Sequence, residues 1–243
     1  MATQALEDTG VAGRPREWFN FSNVGELFAK LGVSTVHELR DALWREATTS
    51  NGIMGTKYGI SEPLHRDLTT LLAGLLPDAP DQDGRAAWAA LYPSCKHVFM
   101  TRRNKVRLAV SWWRAIKSGE WHRPGRDAPT VVDPPSGRPE RPKLPEDLVE
   151  LYDYNALAHL FAEASLREAA MQDLFDQWRV VPHTVVYEDL IAAYEPTMRG
   201  LLEFLEIPDR HSLTIPAPAF EQLADEVSES WVHRFRSEWN HRK

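Results

Sequence analysis

KHVFMTRRNKVRLAVSWWRAIKSG, residues 96–119, decides how the chain folds. KHVFMT is a compact apolar run of the length and composition of a buried strand. NKVRLAVSWWRAIKSG then changes period, placing Val106, Ala109, Val110 and Trp113 on one face of a helix. The same sequence of events recurs at HTVVYEDL, residues 183–190, a second buried strand running straight into a helix. Strands that alternate with helices predict an α/β fold with a mainly parallel sheet flanked by helices. In such sheets ligands sit at the carboxyl ends of the strands, so the residues just after each strand are the ones to inspect.

Behind the first strand stand Arg102, Arg103, Lys105 and Arg107. Four cations where a strand meets a helix suit an anion, helped by the N–H groups at the helix start. A solvated basic turn is the other reading. The chain carries a net charge of −7, so the cluster is a local exception, and wholesale nucleic-acid binding is not expected. Behind the second strand come Glu188 and Asp189, whose simplest role is to cap the following helix. Glu17 lies beside Trp18 and Phe19. A carboxylate against apolar rings can act as a base; a surface glutamate at a helix start is the alternative. No GxxxxGK[ST] phosphate loop and no GxSxG elbow occur, which disfavours nucleotide triphosphatases, kinases of that type and serine hydrolases. Nine histidines are scattered without HExxH or paired Cys/His spacing, so no metal is expected.

The rest of the chain supplies helices. Residues 2–8 are expected to be helical up to Gly10. Asn23 with Glu26, and Thr35 with Glu38, have the spacing of capping boxes and open helices to about Leu31 and Ala47. NGIMGTKYGI, residues 51–60, suggests a turn and a short strand. Ser61 and Pro63 start another helix, and a long one is expected over about Leu151 to Trp178. A further helix is interrupted at Pro196. Leu223, Val227, Trp231, Phe235 and Trp239 recur every four residues, the stripe of a packed final helix. Seven prolines between Pro124 and Pro145 mark an arm or loop at about 123–147, either a passive connection or a lid. The length of 243 residues suits one domain, 1–243. Cys95 is the single cysteine, no apolar run reaches the length of a membrane span, and no leader pattern opens the chain, so a cytoplasmic protein is expected.

Five segments, in order, resemble the bacterial sulfotransferases of the trehalose 2-sulfotransferase type. They are TGVAGRPREWF (9–19), GIMGTKYG (52–59), FMTRRNKVRLAVSWWRAIKSGEW (99–121), VVYEDL with FLEIP (185–190 and 204–208), and ADEVSESWVHRFR (224–236). The resemblance implies a sulfotransferase-like, P-loop-type fold. It also implies a bacterial enzyme moving a sulfuryl group from 3′-phosphoadenosine 5′-phosphosulfate to a hydroxyl of a carbohydrate or glycolipid, without a metal. Such chemistry needs an in-line acceptor oxygen, a base for its proton, and cations or N–H groups over the leaving phosphate. By position in the motifs, Glu17 matches the general base, and Arg102 with Ser111 matches the pair on the donor's 3′-phosphate. Ser228, Trp231 and Arg234 fall in the C-terminal signature, with nucleotide closure or packing as their role. Arg14, Trp18, Phe19 and Lys57 fall in the segments implied to face the acceptor. A homodimer is a further expectation.

Two departures from the family pattern matter. Arg14 stands where the trehalose-type pattern has an acidic residue, which favours an acceptor carrying an anionic group over a neutral disaccharide. The pattern also begins with a strand and an RSGST-like loop for the 5′-phosphosulfate, ahead of the helix at 2–8. The expectation is therefore an N-terminally truncated fold whose true start lies upstream. The rival is a non-catalytic nucleotide- or sulfated-ligand-binding module that keeps the 3′-phosphate side.

Overall fold

The computed structural model describes residues 2–60, 64–76, 84–119, 121, 148–218 and 225–242. The proline-rich arm, Ser61, Pro63 and Leu223 lie outside them. The chain divides into two compact units. One comprises Met1–Phe99, Ala170–Val185 and Asp189–Ala217; the other comprises Met100–Ala169, Val186–Glu188 and Pro218–Lys243.

The first unit is mostly helical: α1 (Ala2–Asp8), α2 (Val24–Leu31), α3 (Val36–Ala47), α4 (Leu64–Ala73) and α5 (Gly84–Leu91). Local signals set the starts and stops. Asn23 Oδ1 accepts from Glu26 N at 3.0 Å, and Gly32 closes α2 in the left-handed region at φ 64°. Thr35 and Glu38 form the complete reciprocal box at the start of α3. Leu27, Leu39, Leu43, Leu68, Leu72 and Leu91 of these helices bury against Phe19 and Trp88 in one core cluster. A second cluster gathers Ala5 and Leu6 of α1 with Leu190, Met198, Leu201 and Ile207.

Strand β1 (Val98–Thr101) pairs with β2 (His183–Val186) in a small parallel sheet. Between them in sequence come α6 (Lys105–Ser118) and α7 (Tyr154–Trp178), the helical crossover that a parallel pair requires. This is the expected α/β class, with two strands among the described residues. After β2 the chain enters α8 (Tyr187–Ala192) and then α9 (Tyr194–Phe204) without a loop. The break comes at Ala193, ahead of Pro196, because proline fits the first turn of a helix, where its missing N–H is not needed. In the second unit α10 (Glu226–His241) buries Trp231, Val232 and Phe235 against Ala109 and Val110 of α6 and Leu157 and Leu160 of α7. Val227, Trp231, Phe235 and Trp239, the described members of the stripe, thus pack in this core.

Two local expectations differ from the structure. Residues 51–60 form no named strand, only single bridges, Thr48 with Met54 and Arg16 with Thr56. Glycines at 52, 55 and 59 deprive the segment of the side chains that stabilise a ladder. Helix α5 carries no clear sequence signal. GRAAWAAL has only 8 residues, too few for a helical period to stand out.

The end of α3 draws two distant segments together. Its last carbonyls have no partner within the helix. Ala47 O accepts from both Arg14 N (2.9 Å) and Gly55 N (3.1 Å), and Glu46 O accepts from the Arg14 guanidinium (3.1 Å). Gly13 N donates to Thr49 Oγ1 at 3.2 Å, and Asn51 Nδ2 to Val11 O at 2.8 Å. Residues 11–16 and 47–57 are thereby laid side by side. They come so close that a Cβ on Gly13 would lie 2.3 Å from Gly55 N, and Gly13 also has φ 76°. Both facts demand glycine. Gly13→Ala should therefore destabilise the protein by about 2 kcal/mol or more, read from the shift of the urea midpoint. A midpoint matching wild type would show that the two segments are not held this closely.

Candidate active site

In the first unit the two segments joined beneath α3 carry Glu17 and Lys57. The Arg16–Thr56 bridge and the bond from Lys57 N to Arg16 O (2.9 Å) set the register. Lys57 Nζ then reaches Glu17 Oε1 at 2.6 Å. Asn20 Nδ2 donates to Glu17 Oε2 at 3.3 Å. The two charged side chains are about half exposed, 47% and 50%. An ion pair so exposed contributes only about 0–1 kcal/mol to stability, so packing, not this pair, holds the segments together. Part of that packing is the edge contact of Phe19 with Tyr58, ring centres 5.7 Å apart. Phe19 is buried in the core beside Trp88, and Trp18 is half-buried with Nε1 on Arg14 O at 3.1 Å. Arg14 is exposed and tied to the end of α3, and Arg16 forks onto Glu7 (Nε to Oε1, 2.9 Å).

In the second unit the four cations after β1 have different fates. Lys105 pairs with Glu168 and donates to Thr101 Oγ1 at 3.1 Å. Arg107 forks onto Glu229 of α10, Nη2 to Oε2 at 2.7 Å. Arg103 is exposed. Arg102 is different: its side chain is 17% exposed and its guanidinium lies over the Tyr187 ring, 4.3 Å from the centroid. Its Nε is buried with no hydrogen-bond partner, and the Glu188 carboxylate is 4.0 Å away. Burial pulls its pKa down; Tyr187 and Glu188 act against that, and Arg107 adds to it. Arginine nonetheless stays charged. A half-buried cation with a buried, unused donor and a loosely placed counter-charge is a fitting seat for an incoming anion.

Three N–H groups around the start of α6, those of Arg103, Asn104 and Arg107, are occupied by the protein itself. Glu188 accepts from Arg103 N (3.0 Å) and Asn104 N (3.2 Å), and Asn104 caps the helix through Arg107 N (3.0 Å). Glu188 thus ties β2 to the turn after β1, a larger role than capping its own helix. Ser111 is half-buried on α6, one turn beyond Arg107 and one before Arg114. Those two arginines bracket it and hold the start of α10. Arg114 Nη1 bonds Asp225 Oδ1 at 2.6 Å and also the hydroxyl of buried Ser228, whose N–H donates to Asp225 at 2.9 Å. Trp231 is 2% exposed and packs edge-on to Tyr152, with its Nε1 unpartnered. Arg234 is exposed, 4.0 Å over the Tyr152 ring and bonded to Glu238 at 2.8 Å.

Sequence reasoning did not find Asn20, Glu168 or Arg114. Asn20 had a usable signal, its place three residues after Glu17 in a turn. Glu168 and Arg114 had none, since their partners are 63 and 111 positions away by number, Lys105 from Glu168 and Arg114 from Asp225. Among the described residues no group of three or more His, Cys, Asp or Glu is disposed to hold a metal, and no helix is long and apolar enough to cross a membrane.

Comparison with known proteins gives a consistent result. The family model described as Stf0 sulphotransferase matches residues 1–238. The trehalose 2-sulfotransferase of Mycobacterium tuberculosis (strain ATCC 35801 / TMC 107 / Erdman) is 27% identical over 249 residues, 97% of this chain and 83% of its own. That of Mycolicibacterium smegmatis (strain ATCC 700084 / mc(2)155) is 27% identical over 266 residues, 97% of this chain and 89% of its own.

The hydrogen bonds to Glu188 bear on stability through its carboxyl's proton affinity. Burial pushes its carboxyl up, but the N–H groups of Arg103, Asn104 and Glu188 itself, with Arg102, outweigh this and hold it below the usual value. The folded state therefore binds this proton less readily than the unfolded one. The stabilisation is complete above the unfolded value of about 4.3 and is lost as pH falls through the folded value. Glu188→Gln should lower the urea midpoint at pH 7, and its deficit against wild type should shrink below about pH 4. A deficit that stays constant with pH would show that the carboxylate charge is not what holds the turn.

Proposed function

The chain belongs to the Stf0 sulphotransferase family, an enzyme family, and on that premise we propose that it moves a sulfuryl group from 3′-phosphoadenosine 5′-phosphosulfate to a hydroxyl of a carbohydrate or glycolipid. The observation that carries the reading is Glu17. It is a half-exposed carboxylate with a donor on each oxygen, at the meeting of two family segments. That is the disposition of a base that must meet an incoming hydroxyl without changing its own position. The trehalose 2-sulfotransferase names of the relatives support a sugar as the acceptor.

Arg102 is proposed as the seat of the donor's 3′-phosphate, with Ser111 of α6 as the second residue of the pair. Its unpartnered Nε fits an anionic oxygen, which would complete a buried hydrogen bond now missing. Ser228 and Arg234 are proposed to border the same side, and Trp231 to support them from the core. In the first unit Arg14, Trp18, Phe19 and Lys57 are proposed to shape the acceptor side, Phe19 from beneath. Arg14 commits one N–H to Glu46 O, and a guanidinium has five. Its remaining donors favour an acceptor with an acidic group.

Glu17→Gln should lower transfer by at least about 10²-fold while binding of 3′-phosphoadenosine 5′-phosphate, followed by calorimetry, is unchanged. Arg102→Ala should do the reverse, weakening that binding by about 10²-fold. Unaltered turnover in Glu17→Gln would remove Glu17 from the mechanism. Binding without any transfer in wild type would favour a non-catalytic module. Acidic sugars should be turned over faster than neutral ones, and a strong preference for neutral sugars would sink the role given to Arg14.

A further inference from the structure

We propose that Lys57 is the positioning residue of the proton acceptor: it holds Glu17 Oε1 while Asn20 holds Oε2, so that the carboxylate presents Oε2 to the acceptor hydroxyl. The inference rests on Glu17 being the base. It begins with the backbone. The parallel bridge of Arg16 with Thr56, and the bond from Lys57 N to Arg16 O at 2.9 Å, place residue 57 beside residue 17 before any side chain is considered. The glycine contact beneath leaves no room for the two segments to slide, since Gly13 already abuts Gly55. A long lysine stem is normally mobile, but here its root is fixed.

The side chains then divide the work. Lys57 Nζ lies 2.6 Å from Oε1, and Asn20 Nδ2 lies 3.3 Å from Oε2. A carboxylate with one donor on each oxygen cannot turn about its terminal bond without losing one of them. Each oxygen keeps a further lone pair. Oε1 has committed electron density to an ammonium at short range, whereas Oε2 has only a long contact with a neutral amide. Oε2 is therefore the better proton acceptor. The other two cations of these segments are committed elsewhere, Arg16 to Glu7 and Arg14 to Glu46 O. In the transfer, the acceptor O–H bond breaks and its proton passes to Glu17 Oε2. The oxygen's electron pair forms the new S–O bond, and the S–O bond to the donor's phosphate breaks, its pair leaving on the phosphate. Lys57 takes no proton and forms no bond; it fixes the direction from which Glu17 accepts.

The test compares Lys57→Met, Lys57→Arg, Asn20→Ala, Glu17→Gln and the double variant Lys57→Met/Glu17→Gln in the full chain. Turnover, acceptor KM and calorimetric binding of 3′-phosphoadenosine 5′-phosphate are measured for each. Lys57→Met should lower kcat by about 10²-fold with acceptor KM within about threefold, as loss of orientation does. Binding of the nucleotide should not change. Lys57→Arg should recover to within about tenfold of wild type, because a cation at that place can still hold Oε1, and Asn20→Ala should cost about fivefold. In the Glu17→Gln background, Lys57→Met should add nothing, since there is no carboxylate left to hold. The proposal is overturned if Lys57→Met raises acceptor KM and spares kcat, which would make Lys57 an acceptor contact. It is overturned equally if arginine restores nothing, or if the double variant is additive. A fully active Glu17→Gln would sink the base itself, a result distinct from any of these.

Discussion

The unfinished carbonyls at the end of α3 are the constraint on which the first unit's site depends. A helix that stops without a glycine cap leaves acceptors that must find donors elsewhere. Here the donors come from two segments far apart in sequence: Arg14, by backbone and side chain, and Gly55. Satisfying one helix end thus brings the segments together, and the glycines at 13 and 55 let the backbones meet. The catalytic candidate and its cation owe their meeting to that backbone arrangement. The exposed pair they form is too weak to have produced it.

The second unit distributes charge differently. A strand end followed by four cations looks like a broad positive patch, yet two of them, Lys105 and Arg107, are paired internally, as is Arg114 further along α6. Lys105 has Glu168, Arg107 has Glu229, and Arg114 has Asp225. These pairs fasten α6 to α7 and α10, while Arg102, half-buried, keeps a buried donor unused. Compensation sets Arg102 apart from Lys105 and Arg107. A uniformly basic turn would attract any anion, whereas one shielded guanidinium over a tyrosine ring offers a defined direction.

Glu188 links these themes. It stands where a helix-capping residue would stand, and by local pattern nothing more would be asked of it. Instead its carboxylate takes the N–H groups ahead of α6 and faces Arg102 across 4.0 Å. The strand-end loops are thereby locked to each other through a charge-assisted contact. An anion arriving at Arg102 would find the N–H groups of Arg103 and Asn104 already taken by Glu188, which leaves the guanidinium as the donor facing it.

Whatever is encoded within a few residues was legible in the sequence. The caps at Asn23 and Thr35, the strands at the head of α6 and α8, the aromatic stripe of α10 and the α/β class come from spacing and composition, because hydrogen-bond partners three or four positions apart and the periods of helix and strand are local properties. The short strand expected at 51–60 and the unforeseen α5 show the limit of that signal, where glycines or a very short segment leave no readable period. Family resemblance marked Glu17, Lys57 and Arg102 as residues of interest but not how they are held. Tertiary structure alone decided that Lys57 meets Glu17, that Glu168 silences Lys105, and that Asp225 meets Arg114. Each of those depends on which distant segment closes an unpaired carbonyl or charge, and a buried or orphaned polar group takes whatever donor the fold delivers, at any separation along the chain.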